Sequence, residues 1–505
     1  MARVTKPKPR DPQAKKVAGP FWGPGRFLLV VALLVTVSAS LFVLRAQMQG
    51  LGRFAQAATV LRIVQDEYVQ ETDPDALSRA AISGMLNHLG DPNSVYIPPA
   101  VAEQFNRTIM GSDYVGIGVQ VQRRDGYVTV TTPMAGTPAA RAGVLPGDRI
   151  VAVDGTDTRE LDTDEVVGLI SGPAGQTVSV TVERDGEPID LDIVRGEIRA
   201  ESVRGLRRLD AEGAWSHALD QDRGIGYIRI SQFVGGTAAA TLASIERARA
   251  QLGQLNGLIL DLRHNPGGAI GESVGVADLF LDGNPVVRTE NRAGESVTLD
   301  ASPGVAFDGP LVVLIDGVSA SGSEIVAGAL VEQLDSAKAL GTRTFGKASV
   351  QTVYGLPDGG TLKLTEAHYL LPSGRNLQRT ADATEWGVDP SAGMHVLLND
   401  GGWAELAELF ARLDAVGGQG VNRGIPDDAW SDAATLLAAM DDAQLAAAHE
   451  ALVGVLATGE WPRVGGDPAT GERALRIEQL ERTIDRIELE QQRLRQDLRQ
   501  LREAP

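Results

Sequence analysis

Serines alternate through Val318-Ser-Ala-Ser-Gly-Ser-Glu324, and a lysine follows in Thr344-Phe-Gly-Lys347. A serine becomes a nucleophile when a nearby base takes its proton. A lysine can be that base only when neutral, so burial must bring its pKa from ~10.4 towards ~7–8. Unpaired N–H groups at a helix start would stabilise the resulting oxyanion. The same residues have a plainer reading. Ser321 with Glu324 spells the capping box S-x-x-E, and a lysine in a glycine-flanked turn is ordinarily a solvated charge. On these residues alone both readings stay open.

The flanking elements place the serines at a strand-to-helix turn. The apolar run Leu311–Ile315 fits a buried strand that breaks at Asp316-Gly317, and Glu324–Leu334 has helical spacing. Upstream, Gly226–Ile230 and Gly257–Leu262 read as strands, and Gly236–Leu252 and Ile270–Leu281 as helices. A further strand is expected around Ala339–Thr342, followed by the segment Thr344–Thr352. Residues 224–400 therefore read as α/β with a partly parallel sheet, whose strand ends commonly host sites.

Composition narrows the function. At 505 residues the chain should hold two to four domains of typically ~100–200 residues each, and a net charge of −19 argues against a nucleic-acid partner. No cysteine is present, and six scattered histidines show no metal-ligand spacing, so neither a metal nor another cofactor is expected. Residues 1–26 carry seven Lys or Arg against one acidic residue and read as a basic cytoplasmic tail. Phe27–Leu44 is eighteen residues without a charge. With its basic flank it is expected to form a transmembrane helix over 27–45, placing the rest beyond the cytoplasmic membrane on the periplasmic or extracytoplasmic side. A cleaved signal peptide ending near Ala55-Gln56-Ala57 is the competing reading.

Residues 46–112 read as a helical region, with an apolar stripe of Ala57, Val60, Leu61, Val64 and Tyr68 and a helix start at Asp73-Pro74. Residues 401–472 are expected to be helical. In 473–505, Ile477, Leu480, Ile484, Ile487, Gln491, Leu494, Leu498 and Leu501 alternate by three and four. That heptad predicts a coiled coil with one polar seam position, joining protomers into a homo-oligomer, with a single amphipathic helix folded onto the body as the alternative.

Residues 113–198 change to short runs broken by glycine: Val115-Gly-Ile-Gly-Val119, Gly136-Thr-Pro-Ala-Ala-Arg-Ala-Gly143 and Pro146-Gly-Asp-Arg-Ile-Val-Ala-Val-Asp-Gly155. Together these resemble a PDZ domain of the bacterial protease type. Gly116, Ile117, Gly118 and Val119 match its carboxylate loop, where free backbone N–H groups hold a peptide's end and a strand edge accepts the peptide. Arg184, in Val-Glu-Arg-Asp-Gly186, is either an added charge near the bound peptide or a surface hairpin arginine.

Behind this domain, LILDLRHNPGG, SASGSEIVAGAL, TFGKASVQT and YLLPSGRNLQ follow in order. The set resembles the carboxy-terminal processing, or tail-specific, proteases over roughly residues 58–395. The resemblance implies a protease core over 199–400 with the PDZ domain inserted ahead of it. It implies Ser321 as nucleophile, Lys347 as base, Gln351 as the glutamine that orients the lysine, and Gly322 with Gly267 or Gly268 as oxyanion donors. If Lys347–Thr352 is a strand, positions 347 and 351 share a face. Substrates would be proteins with accessible carboxy-terminal tails, with an adaptor protein as a further partner. Ser319 or Ser323 would take over helix capping. Two departures stand out: Gly322 replaces the family's usual alanine, and the path from Ser321 to Lys347 is slightly longer than the pattern. A rival reading is a catalytically silent PDZ scaffold. A Ser-His-Asp site using His264 or His368 has no support from spacing.

Overall fold

The computed structural model describes residues 55–99, 101–102, 114–124, 126–134, 136–184, 186–198, 201–209, 214–380, 382–398, 402–414 and 425–467. The expected transmembrane helix (27–45) and coiled coil (473–505) lie outside these residues. Among the described residues no helix is long and apolar enough to cross a membrane. The chain divides into two compact units after Gly90.

In the first unit α1 (55–67) is followed by α2 (Pro74–His88). Asp73 caps α2 by accepting the Asp75 N–H at 2.9 Å, with proline at the first helical position as the sequence predicts. Ala57, Val60, Leu61 and Val64 line an open apolar groove with Leu77 and Ala81.

The second unit begins with β1 (Val95–Ile97), so the region expected to be wholly helical also contributes a strand. The PDZ-type domain follows, comprising β2 (Tyr114–Gly116), β3 (Val119–Arg124), β4 (Tyr127–Pro133), α3 (Pro138–Arg141), β5 (Arg149–Val153), β6 (Thr156–Asp157), α4 (Thr163–Ile170), β7 (Thr177–Arg184), β8 (Glu187–Val194) and β9 (Gly196–Ile198). Its antiparallel sheet runs β3-β4-β5-β7-β8 over a core including Val128, Val130, Ile150, Val166 and Val180. β2 pairs with β9, so the chain enters and leaves this domain side by side.

The α/β domain that follows, the expected protease core, opens with short strands β10 (Val203–Arg204), β11 (Arg207–Arg208), β12 (Trp215–Ser216) and β13 (Ala218–Asp220). Next come β14 (Ile225–Ile230), α5 (Thr237–Leu252), β15 (Gly257–Asp261), α6 (Ile270–Asp278), β16 (Pro285–Asn291), β17 (Ser296–Asp300), β18 (Leu311–Ile315), α7 (Gly322–Gln333), β19 (Ala337–Gly341), β20 (Ser349–Gly355) and β21 (Thr361–Leu370). The chain continues with α8 (Gly402–Asp414), α9 (Ala433–Met440) and α10 (Ala443–Thr458). β14, β15, β18 and β19 are parallel, as the alternation of strands and helices requires.

Because strand side chains alternate, Ile228, Leu258, Leu260 and Val313 pack into one core with Ile325 and Val326 of α7. Tyr227, Ile259, Val312 and Leu314 pack into a second core with Leu406, Phe410, Leu445 and Leu452 of the carboxy-terminal helices. The helices α8, α9 and α10 thus form a layer over one face of this sheet. That explains why the central strands read as unbroken apolar runs. A second sheet, β1-β21-β16-β17 with β20 on β21, carries the lysine side of the site.

Candidate active site

β18 is buried along its length and delivers the chain to Asp316, itself fully buried. The Asp316 carboxylate accepts the Val318 and Ser319 N–H groups at 2.9 and 2.8 Å, closing the turn, and the His264 N–H at 2.8 Å from the neighbouring loop. Burial pushes its pKa up, but His264 and these hydrogen bonds outweigh burial and leave it below the usual value. Ser321 then takes φ 55° and ψ −112°, a backbone conformation that only glycine adopts without strain. Such strain costs of order 1–3 kcal/mol and persists where the surroundings fix it, as on the sharp strand-to-helix turn that presents a nucleophilic serine. Here the Ser321 N–H donates to Glu324 Oε2 at 2.8 Å, and the Ser321 carbonyl accepts from Glu324 and Ile325 N–H.

Glu324 extends this to the lysine. Fully buried, it also accepts Gly346 N–H at 2.7 Å, Lys347 N–H at 2.9 Å and the Thr344 hydroxyl at 2.6 Å. Burial raises its pKa against the pull of these donors. The Tyr369 hydroxyl, fully buried, lies against the carbonyls of Ser321, at 3.1 Å, and Lys347. Two groups outside the expected site therefore link the serine turn to the lysine loop. Glu324 was legible only as half of a capping box, and Tyr369 only as the first letter of YLLPSGR. The extra length between Ser321 and Lys347 leaves β19 in register with β18, from Leu311↔Ala337 to Ile315↔Gly341.

Lys347 precedes β20, which starts at Ser349, so the expected strand over Lys347–Thr352 is corrected at its start: Lys347 lies in the loop that Glu324 clamps. Gln351 meets it nonetheless, with Lys347 Nζ 2.9 Å from Gln351 Oε1 and 3.4 Å from the Ser349 carbonyl. Gln351 is fixed in turn by donating to Ser349 Oγ and Thr365 Oγ1. Burial lowers the Lys347 pKa, the charge of Lys363 lowers it further, and Glu324 and Asp91 oppose both.

The Asn265–Gly268 loop faces the serine turn. The Asn265 carbonyl accepts Ala320 N–H at 3.1 Å and the Ser323 hydroxyl at 2.9 Å. The two candidate glycines of this loop separate. Gly267 N–H donates to Asn265 Oδ1 at 2.9 Å, so it is not the free donor; its carbonyl accepts Phe233 N–H, which turns the Gly268 N–H to the opposite side of that peptide. Gly268 and Gly322 N–H have no acceptor among the described residues. Gly267 has a steric role, since at φ 99° a Cβ there would lie 2.7 Å from Ser321 Cβ and 2.9 Å from Gly322 N.

The capping expectation for Ser319 and Ser323 is corrected. Ser319 donates to the Leu262 carbonyl just past the end of β15 and Ser323 to that of Asn265 in the glycine loop, so neither serves the helix start. Gly322 has a local cause: a Cβ there would fall 2.2 Å from Ser273 Oγ, so the serine fills the space of the family's alanine side chain. His264 Nδ1 lies 2.9 Å from Asp316 Oδ2, and its ring packs near Trp403 and Phe410, while His368 is exposed on β21.

In the PDZ-type domain, Ile117 and Gly118 carbonyls face inward, accepting from Ala139 N–H and from Met134 N–H with Thr137 Oγ1. With those carbonyls committed, the N–H groups of Gly118 and Val119 face the other way, towards the open edge of β3. Arg184 pairs with buried Asp148 at 2.7 Å and donates to the Gly143 carbonyl.

Comparison with known proteins matches residues 224–392 to peptidase family S41, 129–184 to a PDZ domain and 40–99 to the activating protease CtpB N-terminal domain. A carboxy-terminal-processing protease of Bartonella bacilliformis is 36% identical over 332 residues, 65% of this chain and 73% of that one. A probable CtpA-like serine protease of Staphylococcus aureus is 34% identical over 354 residues, 68% of each chain. Among solved structures, a photosystem II D1 C-terminal processing protease is 28% identical, covering 68% of this chain and 87% of that one, with a TM-score of 0.39. The chain belongs to peptidase family S41, the family of the carboxy-terminal-processing proteases, and is a serine peptidase carrying a PDZ domain.

Proposed function

We propose that the protein is a membrane-anchored endopeptidase that binds exposed carboxy-terminal ends of proteins and cuts them with Ser321 as nucleophile and Lys347 as base. The observation that carries this reading is the Glu324 carboxylate, which accepts the backbone N–H of both Ser321 and Lys347 and so ties nucleophile and base to one buried group. A neutral lysine has two N–H donors and a lone pair. Gln351 Oε1 and the Ser349 carbonyl take the donors, so the lone pair stays unengaged; Nζ and Ser321 Oγ share no hydrogen bond among the described residues, and proton transfer requires Nζ to close on Oγ.

In this mechanism Lys347 Nζ removes the Ser321 proton as Oγ attacks the scissile carbonyl. Charge on the carbonyl oxygen falls to the N–H groups of Gly322 and Gly268. The Lys347 ammonium returns the proton to the leaving amine, the C–N bond breaks, and an acyl ester remains on Ser321. Water then attacks the ester, giving a proton to Lys347, which passes it to Ser321 Oγ as the C–O bond breaks, so that the second product leaves with Ser321 and neutral Lys347 restored. The loop Gly116-Ile117-Gly118-Val119 would hold the terminal carboxylate, with the tail added as a strand along β3. The basic tail, apolar run and heptad of the sequence support an anchored oligomer with its catalytic part on the extracytoplasmic side.

The test is cleavage of a protein ending in an apolar unstructured tail, together with labelling by a serine-reactive probe. Ser321→Ala and Lys347→Ala should each abolish turnover, and the adduct should map to Ser321. Undiminished turnover in either variant would sink the assignment. Tail binding by the wild type with neither cleavage nor adduct would favour the silent scaffold.

A further inference from the structure

A cavity of about 280 Å³ lies where the PDZ-type domain meets the protease core. Gln120 and Met134 line it from the PDZ side, and Arg204, Arg229, His264 and Asp414 from the core. Gln120 directly follows the Gly116–Val119 loop, and His264 lies three residues before Gly267. Along the chain, the lining therefore adjoins the loop expected to hold a tail's end on one side and the stretch leading to the glycine loop beside the serine on the other.

Its charges do not balance. Arg204 and Arg229 share a single carboxylate, Asp414, each taking one oxygen. Arg208, also on the wall, has its own partner in Glu201. The Nε atoms of both Arg204 and Arg229 are buried without an acceptor among the described residues. Burial lowers the Arg204 pKa, Asp414 opposes that, and the neighbouring Arg229 charge adds to the lowering. Two guanidiniums that share one carboxylate, beside a cavity also lined by Ala407, Phe410 and Ala411, call for one more anionic acceptor, because a buried N–H without an acceptor is unfavourable.

We propose that this cavity is a carboxylate-binding subsite that takes an acidic side chain of the substrate, upstream of the carboxy-terminal end held by the PDZ domain. The proposal rests on the tail-binding reading above but not on the Ser321–Lys347 chemistry, so it is tested by binding. Full-length Ser321→Ala protein would be titrated with fluorescent apolar-tail peptides carrying Asp, or Asn, at successive upstream positions. At one position the Asp peptide should bind about tenfold tighter than its Asn partner, the discrimination expected of one charge-assisted hydrogen-bonded contact. Gln120→Glu, an exposed side chain whose replacement need not disturb folding, should collapse the Asp/Asn ratio by placing a competing carboxylate at the rim. Arg204→Gln should reduce it. Equal binding of Asp and Asn peptides at every position would overturn the proposal. So would an effect of free succinate on the protein with no Asp/Asn preference, since the site would then serve a small carboxylate. A wild type that prefers Asp tails yet cuts none would keep the subsite and sink the Ser–Lys reading.

Discussion

At the scale of single residues, Lys347 sits where opposing influences meet. Burial and Lys363 disfavour its charge, while Glu324 and Asp91 favour it. Only the neutral amine accepts the serine proton, so activity should rise as pH rises through the lowered lysine pKa. Lys363→Gln removes a like charge and should move the acid limb of kcat/KM to higher pH. Glu324→Gln removes the opposite charge and should move that limb to lower pH. It should also cost about tenfold or more in kcat, because an amide cannot accept all the N–H groups the carboxylate holds. A pH–rate profile whose acid limb stays put in both variants would remove Lys347 from the role of base. Gly322→Ala drives a methyl to 2.2 Å from Ser273 Oγ and should destabilise by about 1–3 kcal/mol. Adding Ser273→Ala should recover part of that loss, a coupling readable from denaturation midpoints of the single and double variants.

At the scale of elements, the parallel strands and the helix after the serine were legible because their apolar runs and helical spacing are local properties. The carboxy-terminal helices were legible as helices but not as a layer of the protease, since nothing local says which sheet face an alanine-rich helix covers. The contact that decides it is ionic. Arg263, fully buried after β15, pairs with Asp261 and with Asp442, which also caps α10 through Gln444 and Leu445 N–H. Asp442→Ala removes the inter-element bonds and the cap, and should cost roughly 2–4 kcal/mol in chemical denaturation. Asp442→Asn keeps a capping side chain and should cost less. Equal, near-zero effects would mean that this pair does not hold the helical layer to the sheet.

At the scale of the whole molecule, the proposed anchor makes a direct prediction. The full chain should sediment with membranes and resist extraction by salt, whereas a chain starting at residue 46 should be found in the soluble fraction. A full-length chain released by salt alone would mean that 27–45 is not a span. The sequence by itself determined the family, and it singled out Ser321, Lys347 and Gln351 as the candidate catalytic residues, because these are carried by motifs contiguous in the chain. It did not determine that Glu324 and Tyr369 join the serine turn to the lysine loop, or that Asn265 occupies the Gly267 N–H while the Gly268 N–H has no acceptor among the described residues. Nor did it reveal the Arg204–Asp414–Arg229 cluster between PDZ domain and core. Each of these depends on a buried polar group finding a partner far along the chain, and only the packing of strands and helices brings such partners within hydrogen-bond reach.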